Sequence, residues 1–192
     1  MKKRPVAIDV DDVLADFIGA TLGYVHSQTG VRVPRSAIKT WVLTDHVPPE
    51  ISDHIVPLWK SKGFCAMLPP LRGAVDAIGL LRDTHKVTFV TAPLSGGPWW
   101  VEERRRWLMS HLGAQGKKDI VFTSDKHLLV KDYEVIVDDR SATVDKWADA
   151  GGAAIIVSQP HNVGFKRENV LRAPDIVEAV YSLRRSVVGF TK

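Results

Sequence analysis

Asp9, Asp11 and Asp12 crowd into the stretch VAIDVDDVLADF directly behind a short apolar run, and a second acidic pair, Asp138 and Asp139, follows the apolar run YEVIV. Carboxylates this close repel one another, and a helix cap needs only one of them. For Asp12 or Asp125 alone, an N-cap is as good a reading as a functional one; for Asp9, Asp11, Asp138 and Asp139 together it fails. Gathered at one edge, such a set calls for a counter-charge. A hard divalent cation bound through oxygen, Mg²⁺, meets that need with the fewest assumptions. Lys126, in TSDKH, supplies a further positive charge. Asp9 and Asp11 are also two residues apart, so in an extended chain both face one side, toward one substrate group, while Val10 packs away.

These residues need a frame that brings them together. Five apolar, β-branched runs, PVAIDV, KVTFVTA, DIVFTS, YEVIVDD and AAIIVS, predict strands. Their consecutive rather than alternating apolar positions suit a parallel sheet buried on both faces. Helical patterns fall between them: GAVDAIGLLRDT, WWVEERRRWLMSHLG with Gly113 at its C-cap, SATVDKWADAGG and APDIVEAVYSLRR. The expected fold is α/β, a doubly wound parallel sheet of Rossmann type. Ligands of such sheets bind beyond the carboxyl ends of the strands. Asp9 and Asp11, Thr91, and Asp138 with Asp139 all stand at those ends. About 75 residues separate the first two strands, far more than one crossover helix needs, which predicts an insertion. Segment 17–72 is expected to be a small helical cap on a core of 1–16 and 73–192. Its Phe17, Trp41 and Trp59 either line a cavity or fill the cap's own core. SGGPWW, after Thr91, reads as a turn into a helix with Pro98 at the first position.

Composition excludes several classes. A chain of 192 residues with 45% hydrophobic and 25% charged residues has the makeup of a globular domain. No apolar run nears the roughly 18 residues of a membrane span, and the basic start meets acid before a signal-like core develops. The single cysteine, Cys65, allows no internal disulfide, so a cytoplasmic location is expected. The net charge of +4 comes from scattered basic clusters that solvated helix faces explain, and neither a nucleic-acid surface nor a membrane is expected as a partner. A small phosphate ester would suit the same charge. The seven histidines show no metal-ligand spacing.

The order DVDDV, Thr91 after an apolar strand, Lys126, then VDD resembles the four motifs of the haloacid dehalogenase superfamily of phosphotransferases. Further matches at DVDDVLADF, LWKSKGFCAMLPPLRGAVDAI, FVTAPL, SDK, VIVDDR and PHNVGF are similar to the 5'(3')-deoxyribonucleotidase family over most of the chain. The resemblance implies Asp9 as the nucleophile on phosphorus and Asp11 as the acid, then base. It implies Mg²⁺ held by Asp9, the Asp11 carbonyl and the acidic pair, with Asp139 in direct contact and Asp138 through water. Thr91, the Ala92 N–H and Lys126 would hold the phosphoryl group, with Lys131 the nearby rival of Lys126. Phe17, Trp41 and Trp59 would meet a nucleoside, making a small nucleotide the expected partner; a homodimer is compatible with all of this. Asp12 stands where the family usually has glycine, and Ala92 where it has serine. Two other readings keep the same core: a phosphatase of sugar phosphates or nucleic-acid ends, and a non-enzymatic metal-binding module.

Overall fold

The computed structural model describes residues 5–186. The β-branched runs form β1 (Pro5–Ile8), β2 (Lys86–Thr91), β3 (Ile120–Phe122), β4 (Val135–Asp138) and β5 (Ala153–Val157), and a sixth strand, β6 (Val170–Ala173), follows. All pair in parallel in the order β3-β2-β1-β4-β5-β6. The sequence reading expected five strands, and β6 is the correction. As an edge strand it buries only Ala173 fully, so its sequence carries no continuous apolar run. Arg172 holds it instead, donating to the Asn162 and Phe165 carbonyls at 2.8 Å each.

Helices cover both faces. Val6, Ile8, Phe89 and Val137 point to one, under α3 (Ala74–Arg82), α4 (Trp100–Leu112) and α6 (Ile176–Ser186). Ala7, Val90 and Ile136 point to the other, under Val144 and Trp147 of α5 (Ser141–Asp149). The period of two along each strand thus feeds two cores. Gly113 ends α4 at φ 58, as the sequence predicts, whereas Pro98 lies in the turn before the helix, which starts at Trp100.

Between β1 and β2 lie α1 (Phe17–Thr29), α2 (Pro49–Lys60) and short 3₁₀ turns at Arg35–Ala37, Leu43–His46 and Cys65–Met67. Ile18, Leu22, Val25, Ile38, Leu43 and Ile55 bury a separate apolar cluster there, and Trp59 packs against both it and the main core. The insertion leaves and rejoins the core side by side: Asp16 N–H donates to the Pro69 carbonyl at 2.9 Å and Leu71 N–H to that of Leu14 at 2.7 Å. Among the described residues no helix is long and apolar enough to cross a membrane.

Candidate active site

The sheet order puts β1 between β2 and β4, so the loops following these three strands meet. Asp9 extends the ladder past β1, its N–H donating to the Val137 carbonyl at 2.9 Å, and this brings it beside Asp138 and Asp139. Oxygens of the three buried carboxylates lie within 4.8 Å of one another. Lys126, in the 3₁₀ turn Lys126–Leu129, reaches in from the side and places Nζ 2.7 Å from Asp9 and 2.8 Å from Asp138. Burial alone would lower the pKa of this ammonium; Asp138 and then Asp9 outweigh it and hold the pKa above its ordinary value. Lys131, its rival, is exposed.

Asp138 is fully partnered, one oxygen with Lys126 and the other accepting the Arg140 N–H at 2.8 Å. Asp139 differs. Both its oxygens are buried with no hydrogen-bond partner among the described residues. His161 Nε2 comes within 3.1 Å of one of them without hydrogen-bond geometry, and its directed contact is to the Asp139 carbonyl, at 3.3 Å. Burial lowers the His161 pKa, so this ring is a neutral neighbour. Burial, then the charges of Asp138 and Asp9, drives Asp139 well above the carboxylate range. Three buried carboxylates with two free oxygens and one ammonium form an all-oxygen donor set that a hard dication fits.

Thr91, at the end of β2, is buried, and its hydroxyl has no partner among the described residues. It opens onto the same cavity as Ala92, Lys126, Asp9 and Asp11, which has a volume of about 370 Å³. A hydroxyl held bare beside an ammonium can receive a phosphoryl oxygen. Phe17, Trp41 and Trp59 line the same cavity. Phe17 and Trp59 have ring centroids 5.0 Å apart, and Trp59 Nε1 donates to Thr21 Oγ1 at 3.0 Å. Trp41 lies outside the insertion's apolar cluster; it is 47% exposed, with its ring 5.3 Å from that of His161 and 4.8 Å from the Arg140 guanidinium.

Asp11 has a partner that sequence reasoning missed. Arg104 of α4 is fully buried, lies over the rings of Trp100 and Trp107, and pairs with the Asp11 carboxylate through Nη2. Burial raises the Asp11 pKa, Arg104 opposes, and Asp9 adds to the rise; the net direction is upward, as a proton donor needs. In the sequence Arg104 is one of three arginines in ERRRW, and only the phase of α4 singles it out. Arg140 and His161, also on the cavity, carried no ligand spacing to mark them. Asp12 also lines the cavity, and its carboxylate accepts the Ile18 N–H at 3.0 Å in the first turn of α1, whose N-cap is Asp16.

The fold has counterparts among solved structures. A haloacid dehalogenase-like hydrolase from Xanthomonas campestris superposes with a TM-score of 0.57 at 15% identity, covering 96% of both chains. The haloacid dehalogenase-type hydrolase YfnB of Bacillus subtilis, solved with magnesium bound, gives 0.57 at 14%, covering 95% of this chain and 99% of that one. Closer kinship comes from sequence. The human cytosolic-type 5'(3')-deoxyribonucleotidase is 29% identical over 142 residues, 70% of each chain. Residues 3–184 match the family described as "5' nucleotidase, deoxy (Pyrimidine), cytosolic type C protein", and the chain belongs to that family. It is a phosphoric monoester hydrolase, a phosphatase of nucleotides, on a fold shared with haloacid dehalogenase-like hydrolases.

Proposed function

We propose that the protein hydrolyses deoxynucleoside monophosphates to nucleoside and phosphate through a phosphorylated Asp9. One observation carries this reading: a single cavity is lined both by the bare Thr91 hydroxyl, Lys126 and the Asp9 and Asp11 carboxylates and by the rings of Phe17, Trp41 and Trp59. A phosphate monoester joined to an aromatic base matches that combination of charged and aromatic lining. The names of the curated relatives, 5'(3')-deoxyribonucleotidases, support the same substrate class.

An oxygen of Asp9 attacks phosphorus and the bond to the leaving nucleoside oxygen breaks. Asp11 gives that oxygen its proton. Asp11, now ionised, takes a proton from water, whose oxygen attacks phosphorus and frees Asp9 and inorganic phosphate. Arg104 keeps the Asp11 carboxylate oriented between the two steps. Thr91, the Ala92 N–H and Lys126 bind the phosphoryl oxygens. Asp9, Asp138 and Asp139, with the Asp11 carbonyl, would hold Mg²⁺, which neutralises negative charge so that an anionic nucleophile can approach an anionic ester. Segment 17–72 acts as the cap that selects the nucleoside. Side-by-side turnover of deoxyribo- and ribonucleoside monophosphates and a sugar phosphate, with Mg²⁺, tests the assignment. Preference for the sugar phosphate would overturn the nucleotide reading.

A further inference from the structure

Arg35, in the first 3₁₀ turn of the insertion, makes three polar contacts that cross to other elements. Its Nη2 lies 2.6 Å from Asp12 Oδ1, its Nη1 2.5 Å from Asp16 Oδ1, and its Nε donates to Gln159 Oε1 at 3.1 Å. Gln159 in turn donates to the Asp12 carbonyl at 2.7 Å. It is anchored through Asn162, whose side chain accepts from the Gln159 N–H at 3.1 Å and donates to the carbonyls of Asp139 and Val157 at 2.7 and 2.8 Å. The network therefore runs from the insertion, through the loop after β5, to the loop that carries the acidic pair. Asp12, its centre, is buried and has φ 55. That left-handed conformation is ordinary for glycine, which the related family usually carries here, and uncommon for a residue with a side chain. The aspartate provides the carboxylate on which Arg35 closes.

Ile38, Thr40 and Trp41, three to six residues beyond Arg35, line the cavity together with Phe17 and Trp59. Over the same stretch, among the described residues, no long helix or strand fixes the chain. We propose that Arg35 is a specificity-positioning residue: by clamping onto Asp12, Asp16 and Gln159 it fixes the 35–41 segment as one wall of the nucleoside end of the cavity, while the phosphoryl end does not depend on it. This rests on the nucleotidase reading given above. A rival explanation for the same contacts is that Arg35 only neutralises the buried Asp12 carboxylate.

Three variants and two substrates separate these. In Arg35→Met, kcat/KM for a deoxynucleoside monophosphate should fall about tenfold or more, chiefly through KM, while p-nitrophenyl phosphate, which lacks a nucleoside, stays within about threefold. Arg35→Lys, with a point charge in place of a fork, should recover only part of the loss. The double variant Asp12→Gly/Arg35→Met removes the buried carboxylate with its partner, leaves the part-exposed Asp16 still accepting the Gly19 N–H, and places glycine at φ 55, so it keeps the test open if Arg35→Met folds poorly. It should remain impaired on the nucleotide alone. Recovery of the double variant on both substrates would establish charge neutralisation instead, and parallel loss on both substrates in every variant would show a purely structural role; either result overturns the proposal. Hydrogen exchange of the 35–41 amides, faster in Arg35→Met than in wild type, reads the clamp without any substrate. If wild type fails to turn over nucleotides, the functional reading falls while the exchange result still decides the clamp; unchanged exchange would sink the clamp by itself.

Discussion

Replacing Lys126 by methionine tests the electrostatic logic of the site most directly, because one nitrogen stands between two buried carboxylates. At 2.7 and 2.8 Å, with an effective dielectric of 20, each attraction is worth about 6 kcal/mol before desolvation. Taking the ammonium and the carboxylates out of water removes much of that, and measured losses on deleting one partner of a buried pair are about 3–5 kcal/mol. The methionine stem preserves packing, so that range is the expected loss of stability in chelator-treated protein. For a chain of this size it corresponds to a fall in Tm of roughly 6–20 °C. Added Mg²⁺ should narrow the gap, since a cation among Asp9, Asp138 and Asp139 replaces the lost charge. Turnover should fall by about 10²–10³, the usual consequence of removing one donor to a developing charge. Thermal melts with and without Mg²⁺, together with kcat, check both halves. A Lys126→Met protein that melts within about 2 °C of wild type without metal would refute the bridging role, since about 3 kcal/mol cannot hide in so small a shift.

Asp9→Asn should abolish turnover with the fold intact, and Asp11→Asn should lose about 10²–10⁴ in rate and accumulate phosphoenzyme, visible by acid-quench mass measurement; normal turnover in either removes the phosphoaspartate scheme. Burial, opposed by Lys126 and reinforced by Asp9, raises Asp138 to about 6, and burial with the charges of Asp138 and Asp9 drives Asp139 well above the carboxylate range. The folded chain therefore keeps protons that the unfolded chain loses above about pH 4, so metal-free stability should fall as pH rises from about 4 to 6 and beyond. Melts that rise across this window would contradict the assignment, and Mg²⁺ should flatten the decline. Trp41→Ala should leave Tm nearly unchanged because the ring is half exposed, yet lower kcat/KM for a deoxynucleotide by about ten- to a hundredfold if the ring stacks on the base. An unchanged nucleotide rate would place the base elsewhere in the cavity.

What the sequence determined by itself is everything written in local periodicity. Five strands, the helices between them and the long interval after the first strand follow from β-branched runs, helical spacing and glycine caps, all of which act within a few residues. The clustering of Asp9, Asp11, Asp138 and Asp139 at strand ends was equally legible, because parallel strands end on one edge whatever their order. The edge strand β6 was not, since a strand buried along so little of its length need not be apolar. Tertiary structure alone decided the partners. Lys126 rather than Lys131 meets Asp9 and Asp138 because the 3₁₀ turn at Lys126–Leu129 directs it inward. Arg104 rather than Arg105 or Arg106 meets Asp11 because the phase of α4 buries that one position. Arg35 meets Asp12 and Gln159 across 23 and 124 residues of chain. Such contacts depend on how packed elements are placed in space, and no pattern of neighbouring residues encodes that placement.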